Sequence, residues 1–255
     1  MLVAERYEKI VQLVNERGSI RVSELSELCG VTEETIRRDL DRLEAAGRLR
    51  RSHGGAVSIK DHSAAHLEVP YAEREVQNAE EKRRIAAEAV KRITADDRIL
   101  LDASTTAWYM ARSLPDIPLT VLTNSILVAT ELATKEKISV ITTGGLLARR
   151  SLSFVGPLAE RTLDGYYVDK LFLSCEGVHP ERGISEASEL QARVKQKMID
   201  RADQVILLAD SSKFGIQSFA HVADWSKIDA VVTDRKLSDE FRRYFEDRNV
   251  HLSTV

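Results

Sequence analysis

The apolar positions of residues 1–60 recur at helical spacing in three runs. Ile10, Val11, Leu13 and Val14 form a stripe within residues 5–17, and Gly18 supplies a natural stop, which predicts a first helix. Ser19-Ile20-Arg21 reads as a short extended link, and Leu25 and Leu28 within residues 22–29 predict a second helix that Gly30 ends. In the third run Ile36, Leu40 and Leu43 fall on one face while Arg38 falls on the opposite one. Thr32 is placed to cap this helix with its hydroxyl. Thr35, where a Glu would complete the capping box, leaves it incomplete. The run extends to Ala46 with Gly47 as its stop. Residues 49–57 then hold two short apolar segments around Gly54-Gly55, the pattern of a β-hairpin. Three helices with a tight turn between the last two, followed by a hairpin wing, make a winged helix-turn-helix.

The pattern lapses over residues 61–80, which are expected to form an exposed linker. Lys60 to Leu67 is polar, Pro70 disfavours helix just before it, and the charged run Glu73-Arg74-Glu75 leads onward. From residue 81 short continuous apolar runs alternate with helical ones. Strands are predicted at residues 98–102, 119–123, 138–142, 170–174, 204–209 and 230–233, with helices at 85–93, 106–114, 126–133, 190–202 and 239–245. Such an alternation predicts an α/β domain over residues 81–255 with a mostly parallel sheet covered on both faces.

Composition changes this picture little. The 255 residues carry a net charge of -3, and 43% are apolar, enough for packed cores. No apolar run approaches the ~20 residues of a membrane span, and the start is polar, unlike a signal peptide. A cytoplasmic protein with no membrane partner is expected. Cys29 and Cys175 stand alone, so neither a disulfide framework nor a metal site is expected, and His62 and His66 are joined by no recognisable set of further ligands. No cofactor is expected. Charge matters locally: within residues 36–60, Arg37, Arg38, Arg42, Arg48, Arg50, Arg51 and Lys60 face only Asp39, Asp41 and Glu44. That suits a docking surface for DNA, although a solvated helix face has the same pattern. Thr32, Thr35, Arg37 and Arg38 on the third helix, with Arg51 and His53 on the wing, are the candidates to reach bases or phosphates.

In the second domain small polar residues gather at strand ends, where parallel sheets bind ligands. The first strand runs into Asp102, Ser104, Thr105 and Thr106 ahead of a helix, an arrangement that suits a phosphate. Later strands end in Asn124, in Gly144 and Gly145, in Ser174-Cys175-Glu176-Gly177 and in Asp210-Ser211-Ser212-Lys213. Lys195 and Lys213 are the cationic candidates, and Arg149-Arg150 could meet an anion or be solvated. Trp108 and Tyr109 read as packing residues, with sugar stacking as the other option.

Two sets of motifs carry a resemblance. The run Val31-Thr32-Glu33-Glu34-Thr35-Ile36-Arg37-Arg38-Asp39-Leu40, with Arg51-Ser52-His53-Gly54-Gly55-Ala56 after it, resembles the winged helix of DeoR-type regulators of bacterial sugar catabolism. Leu101-Asp102-Ala103-Ser104-Thr105-Thr106, Leu122-Thr123-Asn124-Ser125, Gly144-Gly145, Val155-Gly156, Val194-Lys195, Asp210-Ser211-Ser212-Lys213-Phe214 and Thr233-Asp234 resemble the sensor domain of the same family. The resemblance implies a ribose-phosphate-isomerase-like fold that recognises a sugar phosphate without turning it over. Ala103, where many members have Gly, and residues 174–177, 107–111 and 114–117 look most like regulators of L-rhamnose and L-fucose catabolism. The implied effector is L-rhamnulose 1-phosphate, with L-fuculose 1-phosphate second.

The function expected is therefore a DNA-binding regulator, a repressor, with double-stranded operator DNA and a sugar phosphate as partners and a homodimer or homotetramer as its assembly. An L-fuculose 1-phosphate-responsive activator is the alternative within the class. Outside it, a sugar-phosphate isomerase with an accessory N-terminal domain would need a base among Asp102, Glu176 and Asp210, none of which lies in a catalytic motif. A nucleotide-binding module is weaker still, because Gly144-Gly145 lacks the GxGxxG spacing.

Overall fold

The computed structural model describes residues 3–17, 19–45, 48–52, 55–57, 68–248 and 250–255. The chain divides into two units, Met1–Leu67 and Glu68–Val255.

In the first unit α1 (Val3–Arg17), α2 (Val22–Cys29) and α3 (Glu33–Ala45) match the three apolar runs. Ile10, Val14, Leu25, Ile36, Leu40, Leu43 and Leu49 are buried together as their common core. The segment Ser19–Arg21, expected as a link, is strand β1, and it joins β2 (Arg50–Ser52) and β3 (Gly55–Val57) in an antiparallel sheet of order β1-β3-β2. Ile20 and Arg51 both pair with Ala56, so the link is a third strand of the wing. The expected stops at Gly18 and Gly47 and the wing residues His53 and Gly54 lie outside the described residues. Asp39 is turned inward: Arg6 holds it with Nε to Oδ2 at 2.6 Å and Nη2 to Oδ1 at 3.3 Å. This pair ties α1 to α3 by a charge-assisted fork.

The second unit opens with α4 (Tyr71–Val76) and α5 (Ala79–Val90). Residues 71–80, expected in a linker, are thus largely helical and belong to this unit. Tyr71 is buried, and Asn78 takes a left-handed φ of 49° between the two helices, a conformation that Asn tolerates. The two-helix corner interrupts the apolar period, which is why the sequence reads as a linker there.

Then follow β4 (Arg98–Leu101), α6 (Thr105–Ser113), β5 (Leu119–Thr123), α7 (Ile126–Leu132), β6 (Ile138–Thr142), the hairpin β7 (Leu146–Ala148) and β8 (Ser153–Val155), and α8 (Pro157–Leu163). The chain continues with β9 (Val168–Leu173), β10 (Gly177–His179), β11 (Gly183–Glu186), α9 (Glu189–Ile199), β12 (Ala202–Leu208), β13 (Ala220–Ala223), β14 (Ala230–Thr233), α10 (Asp239–Glu246) and β15 (His251–Thr254). Seven strands form a sheet of order β15-β14-β12-β9-β4-β5-β6 in which every pairing is parallel. Successive residues of its strands face opposite cores. Ile99, Leu101, Phe172, Ile206 and Leu208 pack against α5, α6 and α7, while Leu100, Leu171, Leu173 and Leu207 pack against α8, α9 and α10. The sequence therefore shows unbroken apolar runs instead of alternation. β10, β11 and β13 form a separate antiparallel sheet, absent from the sequence reading because its strands are short.

From β4 the chain steps outward to β5 and β6, and then returns to place β9 on the other side of β4. The carboxyl ends of β4 and β9 thus flank a topological switch point, where such sheets open a crevice.

Leu40→Ala should lower the stability of the first unit by about 2–5 kcal/mol, because it empties a wholly buried site in a small core. Chemical denaturation followed by circular dichroism should show an earlier transition for that unit, with the second unit's transition unmoved.

Candidate functional site

Two surfaces combine polar chemistry with a defined frame. The first is the outer face of α3. Thr32 caps the helix, its Oγ1 accepting from the Thr35 backbone N–H at 3.3 Å and lying 2.9 Å from the Thr35 hydroxyl. Arg37 pairs with Glu33 at 2.7 Å and Arg38 with Glu34 at 3.4 Å, one turn back along the helix. Exposed pairs of this kind contribute well under ~1 kcal/mol, so both guanidiniums can exchange their partners for phosphates or base edges. Arg38, with 73% of its side chain exposed, is the freest. Arg51 behaves differently: its guanidinium is bonded to Asp41 and its backbone N–H to Glu44 at 2.7 Å, which fastens the wing to α3. His53 lies outside the described residues.

The second surface is a pocket at the switch point of the sheet. Its floor is built on Asp102, which is fully buried at the end of β4. Oδ1 accepts from the Ser104 N–H at 3.0 Å, and Oδ2 accepts from the Ser174 N–H at 2.9 Å and meets Lys195 Nζ at 3.0 Å. One carboxylate thus joins the ends of β4 and β9 to helix α9. Ser104 caps α6 by accepting from the Ala107 N–H at 3.0 Å, and Thr105 and Thr106 in the first turn of that helix line the pocket. Lys195 also donates to the Ser174 carbonyl at 2.6 Å and to Glu186 of β11. Burial works against its charge, but Asp102 and Glu186 outweigh burial and hold the ammonium well above its ordinary range.

The opposite wall carries the other charges. Lys213 donates to Glu176 at 2.9 Å. Burial would raise the Glu176 carboxyl, yet Lys213 and Arg74 overcome it and keep the group below its usual range. Asp210 accepts from Asn78 Nδ2 at 2.8 Å and from the Ser212 N–H at 3.2 Å. Lys82 donates to the carbonyl of Arg74, and among the described residues it has no carboxylate within ion-pair distance. Burial accordingly lowers its pKa to about 8, with Asp210 pulling in the other direction. Cys175 lines the pocket too, and burial pushes its thiol up, which disfavours the thiolate. The pocket thus offers an anion two lysines, an arginine and a helix N-terminus, and offers hydroxyl groups the Glu176 and Asp210 carboxylates.

Of the residues expected at an effector site, Ser104, Thr105, Thr106, Glu176, Lys195, Asp210 and Lys213 line this pocket, and Asp102 lies directly beneath. Asn124, Gly144 and Gly145 do not line it. They sit at the ends of β5 and β6, one and two strands away from the switch point. Asn124 is buried and donates to the Phe154 carbonyl at 3.0 Å. Gly145 has φ of 123°, and a Cβ there would come within 2.9 Å of the Val155 carbonyl, so this glycine serves close packing. Arg150 donates to the Glu68 carbonyl at 3.1 Å, away from the pocket. Tyr109 is buried and Trp108 packs edge-on to Tyr71. Arg74, Asn78, Lys82 and Glu186 were not expected. The first three lie in or beside the stretch read as a linker, where the left-handed Asn was the one available signal; Glu186 lies on a strand with none.

No helix among the described residues is long and apolar enough to cross a membrane. Comparison with known proteins matches residues 6–62 to a DeoR-like helix-turn-helix domain and residues 77–235 to the DeoR C terminal sensor domain. The chain is 54% identical over its whole length, and over 98% of the relative, to an uncharacterized HTH-type transcriptional regulator, YulB, of Bacillus subtilis. It is 40% identical to the L-fucose operon activator of Haemophilus influenzae, covering 96% of this chain and 97% of that one. Among solved structures it is similar to ribose 5-phosphate isomerase A of Methanocaldococcus jannaschii, with 19% identity, a TM-score of 0.41, and coverage of 54% of this chain and 55% of that one.

Lys195→Met should destabilise the second unit by about 3–5 kcal/mol, because it strands Asp102 and Glu186 as buried carboxylates without their cation. The wild-type contribution of Lys195 is complete at every pH below its unfolded value and is lost only as pH rises through the raised folded one. The variant's deficit should therefore stay level from neutral pH to 9 and narrow only toward pH 5, where Glu186, whose carboxyl burial already raises, takes up a proton in place of the lost cation. Thermal melts from pH 5 to 9 check this.

Proposed function

Because the chain belongs to the DeoR family of transcriptional regulators, we propose that it represses a sugar-catabolism operon by binding operator DNA through α3, and that L-rhamnulose 1-phosphate in the switch-point pocket controls that binding. It is a regulator and not an enzyme; the isomerase alternative falls with the family assignment. The observation that carries the effector reading is the convergence of Lys82, Lys213, Arg74 and the N-terminus of α6 on a pocket that also holds Glu176 and Asp210. The cations and amides suit a phosphoryl group, and the two carboxylates accept from sugar hydroxyls. L-rhamnulose rests on the variant residues around Ala103 and at 174–177. The second reading, an L-fuculose 1-phosphate-responsive activator, is favoured by the name of the Haemophilus influenzae relative. A symmetric dimer, or a tetramer made of two, would present paired α3 helices to half-sites about one helical turn apart or a multiple of it.

A thermal-shift titration tests the effector. L-rhamnulose 1-phosphate should raise the melting temperature of the wild type in proportion to the logarithm of its excess over Kd, L-fuculose 1-phosphate less, and free L-rhamnulose not at all. A larger shift with L-fuculose 1-phosphate would favour the second reading, and no shift with any sugar phosphate would remove the pocket from the sensing role.

The affinity should also depend on pH through Lys82. Its ammonium is charged below about pH 8 and neutral above, whereas the phosphate is already a dianion at pH 7. Binding should weaken as pH rises from 7 to 9, and Lys82→Arg should flatten the profile. A wild-type profile already flat over that range would exclude Lys82 from anion contact.

For DNA, Arg38→Ala should weaken operator binding at least tenfold while the sugar-phosphate shift persists, read by footprinting beside the thermal assay. An unchanged footprint would take α3 out of the reading role.

A further inference from the structure

We propose that Arg74 is both a contact for the effector's phosphoryl group and the residue that relays pocket occupancy to the segment by which the chain enters the second unit. This inference rests on the sugar-phosphate reading of the pocket. Arg74 lies on α4 and lines the pocket, yet the nearest partners of its guanidinium lie back along the chain. Its Nε donates to the Val69 carbonyl at 2.9 Å, and its guanidinium lies 5.8 Å from the centre of the Tyr71 ring. Among the described residues its buried Nη2 has no hydrogen-bond partner and lies 3.6 Å from the Glu68 carboxylate, while Nη1 lies 4.0 Å from Glu176.

Charge-assisted bonds between guanidinium and carboxylate close to about 2.7–2.9 Å. Arg74 is therefore desolvated and underbonded at Nη2, while its Nη1 stands at long range from the pocket carboxylate Glu176. A phosphoryl group between Arg74, Lys82 and Lys213 would give it the two-pronged partner that its planar fork fits and neither carboxylate supplies. Closing on that partner draws the guanidinium away from Glu68.

Glu68 is the first residue of the second unit. Its backbone carbonyl accepts from Arg150 at 3.1 Å, and Tyr71 donates its N–H to the Arg150 carbonyl at 2.7 Å. Tyr71 packs against Trp108 of α6, the helix whose N-terminus meets the anion. Glu68 to Arg74 is thus held by a small set of contacts, and Arg74 makes several of them. An anion that competes with Glu68 for Arg74 binds two arrangements of this segment unequally, which is the condition for shifting their populations. By reciprocity, operator binding must then change effector affinity by the same factor as effector changes operator affinity.

The test is a titration of L-rhamnulose 1-phosphate into the full-length protein with and without operator DNA, for wild type, Arg74→Lys, Glu68→Gln and Lys213→Ala. The two wild-type affinities should differ at least about fivefold. Arg74→Lys keeps the charge and loses the fork, so that ratio should fall to about one. Glu68→Gln, which touches no anion, should bind the sugar phosphate several-fold more tightly in the absence of DNA and also lose most of the ratio. Lys213→Ala should weaken both affinities alike and keep the ratio. If Glu68→Gln and Arg74→Lys both retain the wild-type ratio, the relay is overturned while the sensing pocket stands. If the wild type binds no sugar phosphate, or binds it equally with and without operator, the underlying reading fails and the relay with it.

Discussion

The second unit depends on one buried ammonium. A doubly covered parallel sheet closes its two cores around mainly apolar strand centres, but at the switch point three chain segments end in carbonyls, amides and carboxylates that no core can absorb. Lys195 resolves this by standing between Asp102, Glu186 and the Ser174 carbonyl. Without a cation there, two carboxylates would be buried side by side. With it, the ends of β4 and β9, the small antiparallel sheet and α9 are joined in one network that keeps the crevice open and its walls in register.

This network gives the pocket its electrostatic character. Lys195 and Lys213 each meet a carboxylate, and Arg74 lies at longer range from two. The positive groups that an anion could use are already partly neutralised, and only Lys82 lacks such a partner among the described residues. An incoming anion therefore has to compete with internal carboxylates, and a bare phosphate has little to offer in exchange. A phosphate attached to a polyol does, because its hydroxyls can hydrogen-bond to the carboxylates that the phosphoryl group displaces.

Most of the architecture was legible in the sequence because the period of the apolar residues changes cleanly. Ile36, Leu40 and Leu43 mark a helix, and Ile99-Leu100-Leu101 marks a strand covered on both faces. The pocket was legible where small polar residues follow such strands, as at Ser104-Thr105-Thr106 and Asp210. What escaped did so for physical reasons. Arg74 and Lys82 reach the pocket from a two-helix corner whose turn interrupts the period, and Glu186 comes from a four-residue strand too short to show one. Asn124, Gly144 and Gly145 have the right residue types at strand ends, but strand order decides which ends meet, and order is a long-range property that no local window contains. Asp39 likewise counted as surface charge until Arg6 took it inside.

The glutamates of α3 bear on a matter beyond affinity. Glu33 and Glu34 lie beside the two arginines that face outward, so any duplex approaching this helix meets acidic oxygens as well as guanidiniums. A chromosome offers an enormous excess of wrong sites whose attraction is mainly to phosphate charge. A helix face on which two glutamates match two arginines carries little net charge to hold it on that excess, and a protein that docks through such a face spends its time in search instead of in storage.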